Sequence, residues 1–231
     1  MPRQARLPLW DDQSREQKAE TLREMLFDLY RFQLGGALAE IVAQLNAHQP
    51  ADAKEARDIQ RIKALIAEHP NILSRNCEIG HITASAVIVH RDSGRTLLHW
   101  HKRLNRWLQV GGHIEYETDI AQAALREARE ETGLPDLAHF PLNAAPAPID
   151  YDVHTIPEAG GYPAHLHLDF RYVLVTTEPA ALAPASGEST RFRWLSFAEA
   201  LSMGDAIDGA LRRLLRKAAA RFGFEYEGNQ D

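Results

Sequence analysis

Between Gly111 and Leu134 the chain reads Gly-Gly-His-Ile-Glu-Tyr-Glu-Thr-Asp-Ile-Ala-Gln-Ala-Ala-Leu-Arg-Glu-Ala-Arg-Glu-Glu-Thr-Gly-Leu, and its carboxylates carry the first chemical signal. On a helix Glu127, Glu130 and Glu131 occupy positions i, i+3 and i+4 and project from one face about a turn apart. Like charges at that spacing destabilise an isolated helix. Hard oxygen ligands gathered against such repulsion are what Mg2+ or Mn2+ takes, because these ions prefer carboxylate and water oxygens in a shell shared with substrate phosphates. The competing reading is a solvated acidic face paired with Arg126 and Arg129.

The elements that must position these residues follow from periodicity. Asp119 to Thr132 is rich in Ala, Glu and Arg and predicts a helix, with Gly133 and Pro135 as its stop. Ile82 to His90 and Arg95 to His101 read as strands joined at Asp92-Ser93-Gly94, and Trp107 to Val110 as a short strand running into Gly111-Gly112. Beyond the helix come strands Ile149 to Ile156, Leu166 to Thr176 and Arg191 to Leu195, then helices near Phe197 to Met203 and Ala206 to Arg221. The N-terminal region is helical. Leu22, Met25, Leu26 and Leu29 recur at helical spacing, Gly35-Gly36 is expected to break or bend the segment, and a second amphipathic pattern through Ile59, Ile62, Leu65 and Ile66 ends before Pro70.

The glycine pair after a strand, the acidic helix and its Glu-Glu-Thr-Gly-Leu close together resemble the Nudix hydrolase superfamily. Its signature runs Gly, five residues, Glu, seven residues, Arg-Glu, an apolar residue, any residue, Glu-Glu, any residue, Gly and an apolar residue. From Gly112 the matching positions are Arg126, Glu127, Ala128, Glu130, Glu131, Gly133 and Leu134. The leading glutamate falls on Thr118, flanked by Glu117 and Asp119. Two readings stay open there. Thr118 is a helix N-cap and the three glutamates suffice for the metal, or the loop is shifted by one residue and Glu117 fills the leading position.

The resemblance covers about Ile82 to Arg221 and implies an α/β/α sandwich around a mixed sheet, with residues 1–75 as a helical N-terminal extension and 76–231 as the Nudix domain. It implies that Glu127, Glu130 and Glu131 hold Mg2+ or Mn2+ and that Arg126 steadies the acidic cluster, a role its i, i+4 relation to Glu130 suits. Gly111 and Gly112 would let the backbone approach substrate phosphates that a β-carbon could obstruct. The implied reaction is hydrolysis of a phosphoanhydride in a nucleoside diphosphate linked to another moiety, such as a nucleotide sugar or nucleoside triphosphate. A catalytically inactive Nudix-fold nucleotide-binding or regulatory module is the alternative, supported by Thr118 and opposed by the retained glutamates.

Two further groups enter by position. Glu188, in the loop before the strand at Arg191, is the candidate general base. Strand alternation puts His165, His167 and Asp169 on one face and Leu166, Leu168 and Phe170 on the other, so that the polar face lines a substrate pocket or simply meets solvent. A histidine there would donate to a phosphate, assist proton transfer or bind metal. His99 and His101 invite the same two readings.

Composition bounds the rest. With 26 Lys and Arg against 32 Asp and Glu the formal charge is −6, which gives no bulk attraction for a nucleic-acid polymer or an anionic membrane, so a small-molecule nucleotide is the expected partner. No stretch approaches the roughly 20 apolar residues that span a bilayer. The lone Cys77 excludes an intrachain disulfide, and the opening residues lack the apolar run of a signal peptide, so a cytoplasmic setting is expected. The extension either packs on its own catalytic domain or serves as a partner-binding or dimerisation arm, which makes a homodimer one expected assembly.

Overall fold

The structure, a computed structural model, describes residues 14–224 except 103, 116, 118, 160 and 162; the side chains of 16, 17, 20, 21 and 23–34 also lie outside the description. The chain divides into two compact units, residues 1–43 and 44–231. Helix α1 (Arg15–Ala47) is continuous through Gly35-Gly36, where a break was expected. Each glycine costs about 1 kcal/mol against alanine, which cooperative helix propagation can absorb. Of the predicted apolar stripe, Leu22 is exposed, and Met25, Leu26 and Leu29 lie outside the described side chains.

The second unit is built on an eight-stranded mixed sheet. Its strands are β1 (Gly80–His90), β2 (Thr96–His101), β3 (Arg106–Leu108), β4 (Val110–His113), β5 (Ala138–His139), β6 (Asp150–Ile156), β7 (His165–Thr176) and β8 (Phe192–Leu195). The helices are α2 (Ala53–Glu68), α3 (Ile120–Thr132), α4 (Phe197–Leu201) and α5 (Gly209–Arg221). At the centre β1 and β7 run parallel from Gly80↔Leu166 to His90↔Thr176. β2 and β4 pair antiparallel with β1, β6 and β5 with β7, and β3 and β8 with β2. The predicted strand Trp107 to Val110 is thus two strands. The chain changes partners at Gln109, whose amide donates to Ser85 Oγ at 3.3 Å.

Alternation along β1 divides one sheet face into two halves. Val87 and Val89, with Val173 and Val175 of β7, form an apolar core with Phe197 of α4 and Leu211, Leu214, Leu215 and Ala218 of α5. Each such buried Leu or Phe contributes about 1.5–3 kcal/mol. The other half of the same face carries His81, Thr83 and Ser85 beside His167, Asp169 and Arg171 and then His154, Asp152 and Asp150 of β6. Polar groups there must find partners. Arg171 donates to Asp169 at 2.8 Å and Asp152 at 3.2 Å, and Arg213 of α5 grips Asp150 at 2.7 and 3.1 Å. The alternate residues Ile82, Ala84, Ala86 and Ile88 are buried on the opposite face, on the side of α3.

Helix α2 protects the free edge of β6. Glu55 Oε1 accepts from the Tyr151 amide at 3.3 Å and Asp58 Oδ2 from the Val153 amide at 3.1 Å, occupying donors that would otherwise template another strand. Lys54 bonds both Asp58 and Asp152 at 2.5 Å, and Glu55 is further held by His48 and Lys217. Burial alone would raise the Glu55 carboxyl, but His48 and Lys217 override it and hold it down at about 2. Asp152 lies lower still, burial being overridden by His154, Arg171 and Lys54. A depressed folded pKa stabilises the protein above the ordinary carboxylate range and loses that contribution as pH falls toward the folded value. The thermal midpoint is therefore expected to fall steadily below about pH 4.5. Glu55→Gln should flatten that dependence; an unchanged acid profile in the variant would contradict the assignment. No helix among the described residues is long and apolar enough to cross a membrane.

Candidate active site

Helix α3 opens on Asp119, whose Oδ1 accepts from the Ala121 amide at 2.9 Å, and closes on Gly133 in the left-handed conformation. The cap expected at Thr118 is therefore one residue further on, and Thr118 itself lies outside the described residues. Ala121, Ala123, Ala124 and Ala128 are buried, so the small side chains bring the helix close to the sheet and turn its acidic face to the end of β4.

Arg126 organises that face. Its guanidinium donates to Glu117 at 2.6 Å, to Glu127 and Glu130 at 3.0 Å each, and to the His113 carbonyl at 2.8 Å. Burial pulls the guanidinium down, but its bonds to Glu117 and Glu127 outweigh it and raise its pKa. Glu117 is held below the usual carboxylate range, the Arg126 bond overcoming burial. Glu127 is raised, chiefly by burial, although it also accepts from the His113 amide at 3.1 Å. Glu117 thus reaches the cluster from the loop, where sequence alone left Glu117 and Thr118 as rivals. Glu117→Gln is expected to lower turnover by about 10–100-fold, the usual effect of losing a supporting contact behind a metal ligand, at nearly unchanged thermal midpoint. A silent Glu117→Gln would restore the three-glutamate reading.

Glu131 lies deepest in the cluster. Its Oε2 is buried and has no hydrogen-bond partner among the described residues. Burial, then the charges of Glu188 and Glu127, push the carboxyl up to about 8. His99 Nδ1 stands 3.6 Å from Glu131 Oε2, too long for a hydrogen bond, and burial pushes this imidazole down to about 4. An orphaned buried oxygen among converging carboxylates fits a hard divalent cation, which would satisfy the oxygen and reverse the repulsion. Glu127, Glu130 and Glu131 are the residues that would hold it.

The loop carrying Glu188 is tied to the end of α3. The amides of Ala183 and Ala185 donate to the carbonyls of Thr132 and Glu130 at 2.8 and 3.0 Å, and a β-carbon on Gly133 would strike Ala183. That tether explains why Glu188, distant in sequence, is the foremost charge acting on Glu131.

Gly111 and Gly112 lie inside strand β4, opposite Ser85 and Ala84, instead of in the expected loop. Gly111 has φ +151, and a β-carbon there would meet Ser85. One on Gly112 would collide with the Glu127 carboxylate, so the room that glycine leaves is taken by the ligand residue itself.

His165 and His167 project from β7 on the polar face, as alternation predicted, with Leu166, Leu168 and Phe170 buried on the other side. They join three histidines that sequence reasoning left aside: His81 of β1, His113 of β4 and His154 of β6. The overlooked signal was the alternation His81-Thr83-Ser85, lost because the strand was begun at Ile82. His113 links this group to the carboxylates, its amide on Glu127 and its ring centroid 5.1 Å from those of His81 and His167. Burial first, then neighbouring charged forms, push His81 and His113 down to about 4 and His167 to about 2.

Comparison with known proteins bears on this arrangement. The family model of the NUDIX domain matches residues 80–217. A curated relative, the m7GpppN-mRNA hydrolase NUDT17 of Bos taurus, is 26% identical over 110 residues, 46% of this chain, and the match spans only 36% of that protein. A NUDIX-family hydrolase from Clostridium perfringens aligns at 30% identity over 61% of this chain and 96% of its own, with a TM-score of 0.47. An Ap4A hydrolase of C. elegans aligns at 22% identity over 62% and 97%, with a TM-score of 0.44.

Proposed function

The chain belongs to the NUDIX family, and from that premise we propose that it hydrolyses a phosphoanhydride bond of a small-molecule nucleotide, a nucleoside diphosphate linked to another moiety, with Mg2+ or Mn2+ held by Glu127, Glu130 and Glu131. The observation that carries this reading is the buried, unpartnered Glu131 oxygen among the carboxylates of Glu127, Glu130 and Glu188. A divalent cation bound there supplies Lewis acidity, neutralising charge that develops on the leaving phosphate and making a water acidic. The protein's own groups do the rest. Arg126 fixes Glu127 and Glu130 and is itself fixed by Glu117. Glu188 accepts the proton of the attacking water. Gly111 and Gly112 keep the strand clear beside the carboxylates, and the polar face bearing His165 and His167 is the surface offered to the substrate.

The hydrolase domain in this proposal is residues 76–231, acting in the cytosol, with 1–75 as a helical extension whose α2 docks on β6. Phosphate release from a panel of nucleotide sugars, nucleoside triphosphates and dinucleoside polyphosphates, each with Mg2+ and with excess chelator, tests it. Turnover of at least one class that disappears with chelator is expected. Full turnover in chelator overturns the metal assignment, and binding without turnover across the panel favours a nucleotide-binding module.

A further inference from the structure

The histidines on the polar sheet face form a second centre, distinct in chemistry from the carboxylates. Strands β1 and β7 place His81 and His167 directly opposite each other, and His165 lies two residues before His167 on the same side. Their ring centroids are 4.9 Å (His81–His167), 5.1 Å (His81–His165) and 5.4 Å (His165–His167) apart. One ring nitrogen from each lies within 4.8 Å of the others. Most telling is His81. It is 4% exposed, and both its ring nitrogens are buried with no hydrogen-bond partner among the described residues. Buried polar groups are as a rule hydrogen-bonded, so two unsatisfied ring nitrogens beside two other imidazoles call for a ligand.

We propose that His81, His165 and His167 bind a divalent transition-metal ion of the zinc class through their ring nitrogens. Imidazole suits zinc, copper and nickel, whereas Mg2+ takes hard oxygen, so this site and the glutamate cluster select different ions. Zinc–imidazole bonds of about 2.1 Å bring ligand nitrogens to within about 4 Å of one another, so ring rotations that move an atom by about 1 Å close the shell. The outer contacts are those of metal-ligating histidines. His165 Nδ1–H donates to the Pro163 carbonyl at 2.9 Å, which leaves Nε2 for the ion. His154 Nδ1–H donates to Asp152 at 3.0 Å and its ring centroid lies 5.5 Å from that of His167, so this carboxylate–histidine pair borders the three-histidine group. Burial and then the neighbouring imidazoles push His81 and His167 toward the neutral form, the form that ligates a metal. Arg75, which acts on His81 and His113, is exposed and opposes a cation only through solvent. The site lies on the face that the proposed function offers to the substrate, but the inference rests on the histidine geometry and not on that reading.

Metal binding by the full-length protein tests it, with ZnCl2 in equilibrium dialysis and CoCl2 read by visible absorption, both under excess Mg2+ to occupy the carboxylates. One equivalent of zinc is expected, with a cobalt spectrum of low coordination number and a thermal midpoint raised by zinc and not by further Mg2+. His165→Ala, at a partly exposed position, should weaken zinc at least tenfold, and Glu131→Gln should leave zinc binding intact. His81→Leu should abolish binding yet melt no lower than the metal-free wild type, since it removes a buried unpaired imidazole. The proposal is overturned if zinc does not bind, if His165→Ala binds it unchanged, if Glu131→Gln removes it, or if inorganic phosphate occupies the cluster in place of the metal.

Discussion

Glu131→Gln is expected to lower the metal-dependent rate by about 100- to 1,000-fold while the protein folds and melts as before or slightly higher. The substitution keeps the shape and removes the charge. A neutral amide is a poor ligand for a hard cation, and loss of several kcal/mol of charge stabilisation in the transition state, at 1.36 kcal/mol per decade, gives a fall of that size. The expected sign on stability is the opposite. In the metal-free protein this carboxyl is buried, repelled by Glu188 and Glu127 and unpartnered at Oε2, so neutralising it relieves a cost. Activity and stability therefore move apart, which distinguishes a ligand from a structural residue. Glu130→Gln should lower activity as well, but it also frees one bond of Arg126 at the exposed end of the cluster. Rates measured at several Mg2+ concentrations, alongside thermal midpoints, decide the matter. A Glu131→Gln enzyme within threefold of wild type at all metal levels would remove Glu131 from the site.

Asp150→Ala carries the largest expected effect on folding, a loss of about 3–5 kcal/mol, the usual consequence of breaking a buried ion pair from one side. Asp150 is fully buried and receives two bonds from Arg213 of α5, with Lys217 at 3.1 Å and Arg171 at 3.5 Å. Arg213 and Arg171 are 6% and 4% exposed, so without Asp150 two guanidinium groups stay inside with too little counter-charge. At about 2–4 °C per kcal/mol for a chain of this size, the midpoint should drop by roughly 10 °C or more. Pairing the change with Arg213→Met should cost less than the sum of the two single changes, because the double variant leaves fewer orphaned charges. Denaturant melts of the three variants measure this. A loss under about 1 kcal/mol for Asp150→Ala would show that water reaches the network.

The sequence by itself determined what depends on short spacing. The period of α3 placed Glu127, Glu130 and Glu131 on one face and Arg126 within reach of Glu130, and the alternation of β7 put His165 and His167 on the side opposite Leu166, Leu168 and Phe170. These relations are set by the rise and twist of a single element, and so they survive without knowledge of the rest. Tertiary structure decided what joins separate elements. His81 meets His167 only because β1 and β7 are parallel neighbours across a long crossover, a pairing that no local pattern encodes. Glu117 meets Arg126 through the path of a loop, and the cap of α3 is Asp119, relations that the spacing of the signature left open. Glu188 acts on Glu131 because backbone amides of its loop bond the last carbonyls of α3, atoms that every residue has and no sequence pattern distinguishes. The buried charges of Asp150, Arg171 and Arg213 pair across separate elements, which no local spacing indicates. Their meaning came from packing, since a charge enters a core only where a partner from another element is already waiting.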